Sequence, residues 1–132
     1  MGDGSVGALV LVVEDSEDNR QILRDLFASA GFRLIEANDG ATGVAMAREH
    51  RPDIILMDVQ LPVIDGYEAT RRIKSNPELA DIPIIAVTSY ALSGDDALSR
   101  AAGCDAYVSK PYSPRHLLSV VRRWLATRSD AG

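Results

Sequence analysis

Short apolar runs alternate along the chain with longer segments in which apolar residues recur every three or four positions. The short runs, rich in valine, isoleucine and leucine, predict strands. They cover residues 8–13, 32–37, 53–57, 82–88 and 106–109. The longer segments predict helices, which cover residues 17–30, 40–49, 66–75, 93–102 and 113–127. Each predicted strand is therefore followed by a helix.

This alternation predicts an α/β fold, a doubly wound (βα)5 domain whose five-stranded parallel sheet carries helices on both faces. Right-handed crossovers leave few topologies, and the flavodoxin-like strand order 2-1-3-4-5 is favoured. In that order strands 1 and 3 are neighbours, and ligands bind beyond their carboxyl ends. We expect one domain over residues 7–128, with residues 1–6 and 129–132 flexible.

Acidic residues stand where two of these strands end. Glu14 and Asp15 follow the first strand, and Asp58 follows the third. Because the two strands are predicted neighbours, three carboxylates should converge, and they would repel one another unless a cation lies among them. Carboxylate oxygens, water and phosphate suit Mg²⁺, which we therefore predict as the cofactor. The acids Glu17 and Asp18 are interpreted only as favourable charges at a helix N-terminus.

Two further strand ends carry groups that suit a phosphoryl site. Thr88 ends the fourth strand and Lys110 follows the fifth. Singly, such residues are more often a turn hydroxyl and a solvated charge. Together with the acids, a hydroxyl and an ammonium could hold phosphoryl oxygens while Asp58 attacks in line to form an aspartyl-phosphate.

Composition narrows the classes of function. The net charge of −5 argues against direct DNA binding through phosphate contacts. The single cysteine, Cys104, excludes an internal disulfide and fits a reducing compartment. Neither a signal peptide nor an apolar stretch long enough for membrane insertion is present. We therefore expect a cytoplasmic protein without an attached effector domain.

From about Leu9 to Leu125 the chain resembles bacterial two-component response regulator receiver domains. Five motifs, each at a strand end or in the loop after it, carry the resemblance: Val12-Val13-Glu14-Asp15, Leu56-Met57-Asp58-Val59-Gln60-Leu61-Pro62, Asp65-Gly66, Val87-Thr88-Ser89 and Tyr107-Val108-Ser109-Lys110-Pro111. One motif alone would be weak, but five in this order are specific.

The resemblance implies that Asp58 accepts a phosphoryl group from a histidine kinase or histidine phosphotransfer protein. It implies that Asp15 and Asp58 ligate Mg²⁺ through their side chains, Gln60 through its backbone carbonyl and Glu14 through a water. It also implies that Lys110 pairs with the phosphate, that Thr88 hydrogen-bonds it, and that the Lys110-Pro111 bond is cis.

The resemblance further implies a switch. Phosphorylation would draw Thr88 and Lys110 toward the phosphate and favour an inward Tyr107. The fourth helix, fifth strand and last helix would then contact a downstream protein target. Candidate residues on that surface are Arg100, Arg115, His116, Arg122 and Arg123, although each singly fits a solvated helix face equally well. Tyr90 and Gln60 could shield the phosphoryl group from water.

Several alternatives stay open. Among receivers, the chain looks most similar to single-domain regulators of cell polarity and division, but receivers within hybrid histidine kinases share its motifs. An aspartyl-nucleophile phosphatase is disfavoured because Gln60 stands where many such enzymes have a general acid. The acidic loop after strand 1 disfavours a flavin carrier, and the filled phosphorylation positions disfavour a pseudo-receiver. We expect a monomer or weak dimer that is not an enzyme.

Overall fold

Five parallel strands form one sheet in the order β2-β1-β3-β4-β5, as the alternation of elements predicted. The computed structural model describes residues 7–88 and 101–131, with side chains up to residue 126. Its strands are β1 (Leu9–Val13), β2 (Arg33–Ala37), β3 (Ile54–Asp58), β4 (Ile84–Thr88) and β5 (Ala106–Ser109). Its helices are α1 (Glu17–Ser29), α2 (Gly40–His50), α3 (Gly66–Lys74) and a C-terminal helix (Pro114–Ala131).

The fourth predicted helix, residues 93–102, lies outside the described residues except for its last two, which are helical. Gly103 follows them with a φ of 104°, a left-handed conformation that glycine adopts without strain. The predicted helix end at this glycine therefore agrees with the described part of the chain.

Alternation along the strands divides the core into one layer on each face of the sheet. One layer is formed against α1 and the C-terminal helix by Val10, Val12, Ile54, Leu56, Ile85, Phe27, Leu117 and Val121. The other is formed against α2 and α3 by Leu11, Val13, Ile55, Met57, Ile84, Val44, Ala47, Ala69 and Ile73. Because both faces are covered, the strand ends are the part of the sheet left open for chemistry.

The end of α1 shows how local sequence returns the chain to the sheet. Gly31 has a φ of 90°, and its N–H donates to the carbonyl of Ala28 at 3.1 Å. The Phe32 N–H donates to the carbonyl of Phe27 at 3.0 Å, and the two phenyl rings meet edge to face at 5.2 Å. This is a Schellman motif with its usual apolar contact. We had predicted that Phe32 begins β2. In the structure Phe32 instead completes the cap of α1, and β2 begins at Arg33.

Four of the five strands differ from their predicted bounds by one or two residues. The strand predicted from residue 82 begins at Ile84 because Pro83 has no N–H and the Ile82 N–H donates to Leu79 in a turn. The third strand begins at Ile54 and includes Asp58, one residue past the predicted end. Asp58 is thus a strand residue, paired with Val87 of β4.

The C-terminal helix begins at Pro114, one residue after the start of the predicted range, and ends later than predicted. The Ser113 hydroxyl accepts the His116 N–H at 3.3 Å, and Pro114 is the first helical residue, where its missing N–H has no cost. The helix continues to Ala131, beyond the predicted end at Thr127. In the part of the chain with described structure, no helix is long and apolar enough to cross a membrane.

Candidate functional site

Three carboxylates meet at the carboxyl edge of the sheet, as the strand order predicted. β1 and β3 are adjacent, with Val13 opposite Met57, so the residues that follow them share one crevice. Glu14, Asp15 and Asp58 each offer an oxygen, and these oxygens lie within 4.8 Å of one another. Glu14 and Asp58 are each only 4% exposed, whereas Asp15 is exposed. The crevice is a dense cluster of oxygen ligands, the donor type that Mg²⁺ prefers.

Both oxygens of the Asp58 carboxylate have partners. Oδ1 accepts the Gln60 N–H at 3.0 Å, and Oδ2 lies 3.1 Å from the Lys110 ammonium. The backbone beside it is crowded by α3, because a Cβ on Gly66 would lie 2.2 Å from the Asp58 carbonyl oxygen. Glycine is therefore required at position 66 so that the N-terminus of α3 can approach the backbone of Asp58. The pairing with β4 and this close contact leave Asp58 little freedom to move.

The loop after β1 is held by hydrogen bonds around Glu14. Its N–H donates to Ala37 of β2 at 3.0 Å, and its carboxylate accepts the Ser16 N–H at 3.0 Å. Its carbonyl accepts a hydrogen bond from Arg20 at 2.7 Å. Ser16 also caps α1 by accepting the Asn19 N–H at 3.3 Å. The acidic loop is thus a constrained turn.

Lys110 lies between the two buried acids. Its Nζ is 3.1 Å from Asp58 and 3.5 Å from Glu14, and its side chain is 24% exposed. The Lys110-Pro111 peptide bond is cis, as the resemblance implied. Burial lowers the pKa of Lys110, but the charges of Asp58 and Glu14 outweigh it and raise that pKa above its ordinary value of 10.5. The ammonium is therefore charged at neutral pH, and its ion pairs are lost only in more alkaline solution.

Thr88 and Tyr107 lie on neighbouring strands near this edge. Thr88 ends β4, is fully buried, and accepts the Lys110 N–H through its carbonyl at 2.7 Å. Tyr107 of β5 is 40% exposed and so lies toward solvent. Of the predicted output residues, the exposed ones on the C-terminal helix are Arg115, His116, Arg122 and Arg123. Tyr90 and Arg100 lie outside the described residues.

Sequence reasoning missed two polar residues that fix the backbone locally, of which only Arg20 contacts the acidic loop. Arg20, on the first turns of α1, reaches back to the loop that it follows. Asp39 caps α2 by accepting the Thr42 N–H at 2.7 Å. An aspartate three residues before the bonded N–H was a readable signal. No feature of the sequence indicated the Arg20 contact, since arginine on a helix is usually a solvated charge.

Glu14 makes the metal-free site sensitive to pH. Burial raises the pKa of the Glu14 carboxyl above its ordinary value of 4.5, and the charge of Asp58 acts in the same direction. The Ser16 N–H and Lys110 oppose this rise. An acid whose pKa is raised on folding stabilises the fold below its unfolded pKa and loses that contribution as pH rises through its folded pKa.

We therefore expect Glu14→Gln to stabilise the metal-free chain at pH 7 by about 1 kcal/mol, the size of a typical single substitution. At pH 4 the two chains should unfold at similar denaturant concentrations, because Glu14 is then largely protonated in both states. Urea unfolding in the presence of a chelator at both pH values measures this difference. A destabilised variant at pH 7 would contradict the expectation.

Comparison with known proteins agrees with this geometry. The family model "Response regulator receiver domain" matches residues 10–122. The polar-differentiation response regulator DivK of Brucella anthropi is 44% identical over 116 residues, which cover 88% of this chain and 94% of DivK.

Solved structures show the same likeness. The receiver domain of a Pseudomonas aeruginosa sensor histidine kinase, with a magnesium ion coordinated in its active-site cleft, superposes with a TM-score of 0.85 at 38% identity, covering 91% of this chain and 98% of that domain. The chemotaxis response regulator CheY4 of Vibrio cholerae gives a TM-score of 0.85 at 29% identity, covering 90% of this chain and 99% of CheY4. From the acidic crevice, the strand order and these matches, the chain belongs to the response regulator receiver domain family of two-component signalling.

Proposed function

We propose that this receiver domain is a phospho-acceptor whose Asp58 takes a phosphoryl group from a phosphohistidine on a histidine kinase or histidine phosphotransfer protein. The observation that carries the proposal is the Asp58 carboxylate, buried among two other acids and held 3.1 Å from an ammonium. In the transfer, an Asp58 oxygen forms a bond to phosphorus as the P–N bond to the donor imidazole breaks. The protein then carries the phosphoryl group as a signal.

The residues present fit a bound Mg²⁺. Three carboxylate oxygens within 4.8 Å form a hard, anionic donor set. We assign as its holders the side chains of Asp15 and Asp58, the backbone carbonyl of Gln60 and, through a water, Glu14. When bound, the ion supplies positive charge against the phosphoryl oxygens. A related receiver with magnesium in its cleft supports this assignment.

The remaining roles belong to this chain's own polar groups. Lys110 pairs with Asp58 and Glu14 in this structure. After phosphorylation its ammonium would pair with a phosphoryl oxygen instead. The Thr88 hydroxyl would donate a hydrogen bond to a second phosphoryl oxygen. Movement of Thr88 would favour an inward Tyr107. On this proposal, the present 40% exposure of Tyr107 would be its arrangement before phosphorylation. The C-terminal helix would then present an altered surface to the downstream protein target.

A wide, mainly apolar depression beside the site suits the approach of the donor protein. Its volume is about 570 Å³. It is lined by Asn19, Ile22, Lys110, Pro111, Tyr112 and Pro114. Ile22 is 53% exposed there and shares the depression with Pro111, Tyr112 and Pro114, and a contiguous exposed apolar patch is typical of a protein contact. Since Lys110 belongs to both the depression and the acidic crevice, a protein bound here would have its histidine close to Asp58.

A hydrolytic enzyme is the second candidate, and the site supports it less well. Gln60 offers an amide where a phosphatase of this chemistry would need an acid, and its backbone N–H is bonded to Asp58. We therefore propose no enzymatic activity beyond phosphotransfer to Asp58 and autodephosphorylation, in which water hydrolyses the aspartyl-phosphate and releases inorganic phosphate. A cytoplasmic location and a monomeric or weakly dimeric state remain predictions from the sequence, as does the distinction from a receiver within a hybrid kinase.

The function is tested by incubating the purified chain with acetyl phosphate and Mg²⁺ and measuring its intact mass. We expect a gain of one phosphoryl group, about 80 Da, that depends on Mg²⁺ and maps to the peptide containing Asp58. A parallel sample with excess chelator should show little gain. No gain with acetyl phosphate or with a phosphorylated histidine phosphotransfer protein would contradict the proposal.

A further inference from the structure

Arg20 donates a hydrogen bond to the backbone of the acidic loop. Its side chain is only 14% exposed. Nη1 donates to the Glu14 carbonyl at 2.7 Å, and its backbone N–H donates to the Ser16 carbonyl at 3.0 Å. The Glu14 carbonyl belongs to the peptide group that leads into Asp15. The bond from Arg20 therefore fixes the orientation of the peptide unit that joins two residues of the acidic cluster.

The position of Arg20 is itself held by two glutamates. Its Nη2 lies 2.6 Å from Glu17, and its Nε lies 3.3 Å from Glu36 of β2. Glu36 also accepts two hydrogen bonds from Arg24, both at 2.7 Å. Two arginines and two glutamates thus form a network of balanced charge that ties α1 to β2. Such a network holds a guanidinium in one orientation better than a single exposed pair does.

We propose that Arg20 is a positioning residue for the metal site, and this inference rests on the proposed function. Glu14 is fixed at its N–H by Ala37 and at its carbonyl by Arg20. Without the hydrogen bond from Arg20 to the Glu14 carbonyl, the peptide between Glu14 and Asp15 can rotate. The Asp15 carboxylate is then no longer held toward Asp58. Loss of a partner that orients metal ligands in this way commonly lowers metal affinity by about 10- to 100-fold.

The sign of the effect separates positioning from simple electrostatics. Arg20 is positively charged and lies near the crevice, so its charge alone repels a divalent cation. Neutralising it would then tighten Mg²⁺ binding. If Arg20 instead orients the ligands, neutralising it weakens Mg²⁺ binding. Electrostatic repulsion and ligand positioning therefore predict opposite changes in the dissociation constant for Mg²⁺.

Arg24 is a matched control for this test. It is one helical turn further along α1 and shares the partners Glu17 and Glu36. In the described part of the chain, its hydrogen bonds go to Gln21 and Glu36, not to the loop backbone. Arg24→Gln therefore also removes one positive charge and breaks the Arg24 half of the same network, while the bond from Arg20 to Glu14 stays.

The experiment is isothermal titration of the full chain with Mg²⁺, without a phosphoryl donor, for the unaltered chain and for the Arg20→Gln, Arg20→Lys and Arg24→Gln variants. We expect about tenfold weaker binding for Arg20→Gln, a smaller loss for Arg20→Lys, and no more than a twofold change for Arg24→Gln. Circular dichroism checks that each variant is folded, and if Arg20→Gln is not, Arg20→Lys must still bind more weakly than Arg24→Gln.

Unchanged or tighter binding in both Arg20 variants would overturn the inference and leave the proposed function intact. Equal losses in Arg20→Gln and Arg24→Gln would also overturn it, because the charge network and not the Glu14 contact would then be responsible. An unaltered chain that binds no Mg²⁺ would overturn the proposed function, and this inference with it.

Discussion

The Asp58→Asn variant is expected to take up no phosphoryl group under conditions that modify the unaltered chain. An amide has the same shape as the carboxylate and can still accept the Gln60 N–H, so the loop should keep its form. It lacks the charged oxygen that attacks phosphorus. Intact mass after incubation with acetyl phosphate and Mg²⁺ measures the loss, which should be complete within detection.

Asp65→Asn is the matched control for this variant. Asp65 lies in the loop that follows Asp58 and caps α3 by accepting the Glu68 N–H at 2.9 Å. Asparagine caps a helix as well as aspartate does, so α3 and the backbone near Gly66 should be unaffected. This variant should gain a phosphoryl group at the normal rate. A mass gain that persists in Asp58→Asn would mean that another residue is the acceptor.

The Lys110→Met variant is expected to lose about 2 kcal/mol of stability at pH 7 in the absence of divalent cations. Methionine keeps most of the side-chain volume but leaves Glu14 and Asp58 buried together without their ammonium. Millimolar Mg²⁺ should restore much of the loss, because the ion supplies the missing charge and binds only the folded state. Urea unfolding with chelator and with Mg²⁺ gives both values.

Lys74→Met provides the comparison for the cation effect. Lys74 is also largely buried and donates to the carbonyls of Ala80 and Ile82 and to Asp105. Its loss should destabilise the fold to a similar degree, but Mg²⁺ should give this variant no more stabilisation than it gives the unaltered chain. If Mg²⁺ stabilised Lys110→Met no more than it stabilises Lys74→Met, the expectation would be contradicted. The Lys110 ammonium would then not be neutralising the charge of the acids in the crevice.

The strand order and the meeting of the acids were predictable because they depend on properties that each segment carries alone. Apolar runs such as that before Asp58 must be covered on both faces, and helices between them make the sheet parallel. Once β1 and β3 are neighbours, Glu14 and Asp58 share an edge whatever the details of packing. The same logic placed Thr88 and Lys110 at that edge.

Boundaries were less predictable because they depend on competition between local caps and the sheet. Phe32 has the composition of a strand residue, yet its N–H completes the α1 cap and its ring packs on Phe27. Asp58 looked like the first residue of a loop, but its pairing with Val87 keeps it in the strand. In each case a hydrogen bond to a specific partner decided the assignment.

By itself the sequence determined the fold class, the strand order, the convergence of Glu14, Asp15 and Asp58, and the family, since alternation, charge and motif spacing are local properties. Only the tertiary structure decided that Lys110 lies between two buried carboxylates and that Arg20 bonds the carbonyl between Glu14 and Asp15. Those contacts depend on how closely separate elements approach and which way a side chain turns. Such distances are set by packing across the whole sheet, and no pattern along the chain records them.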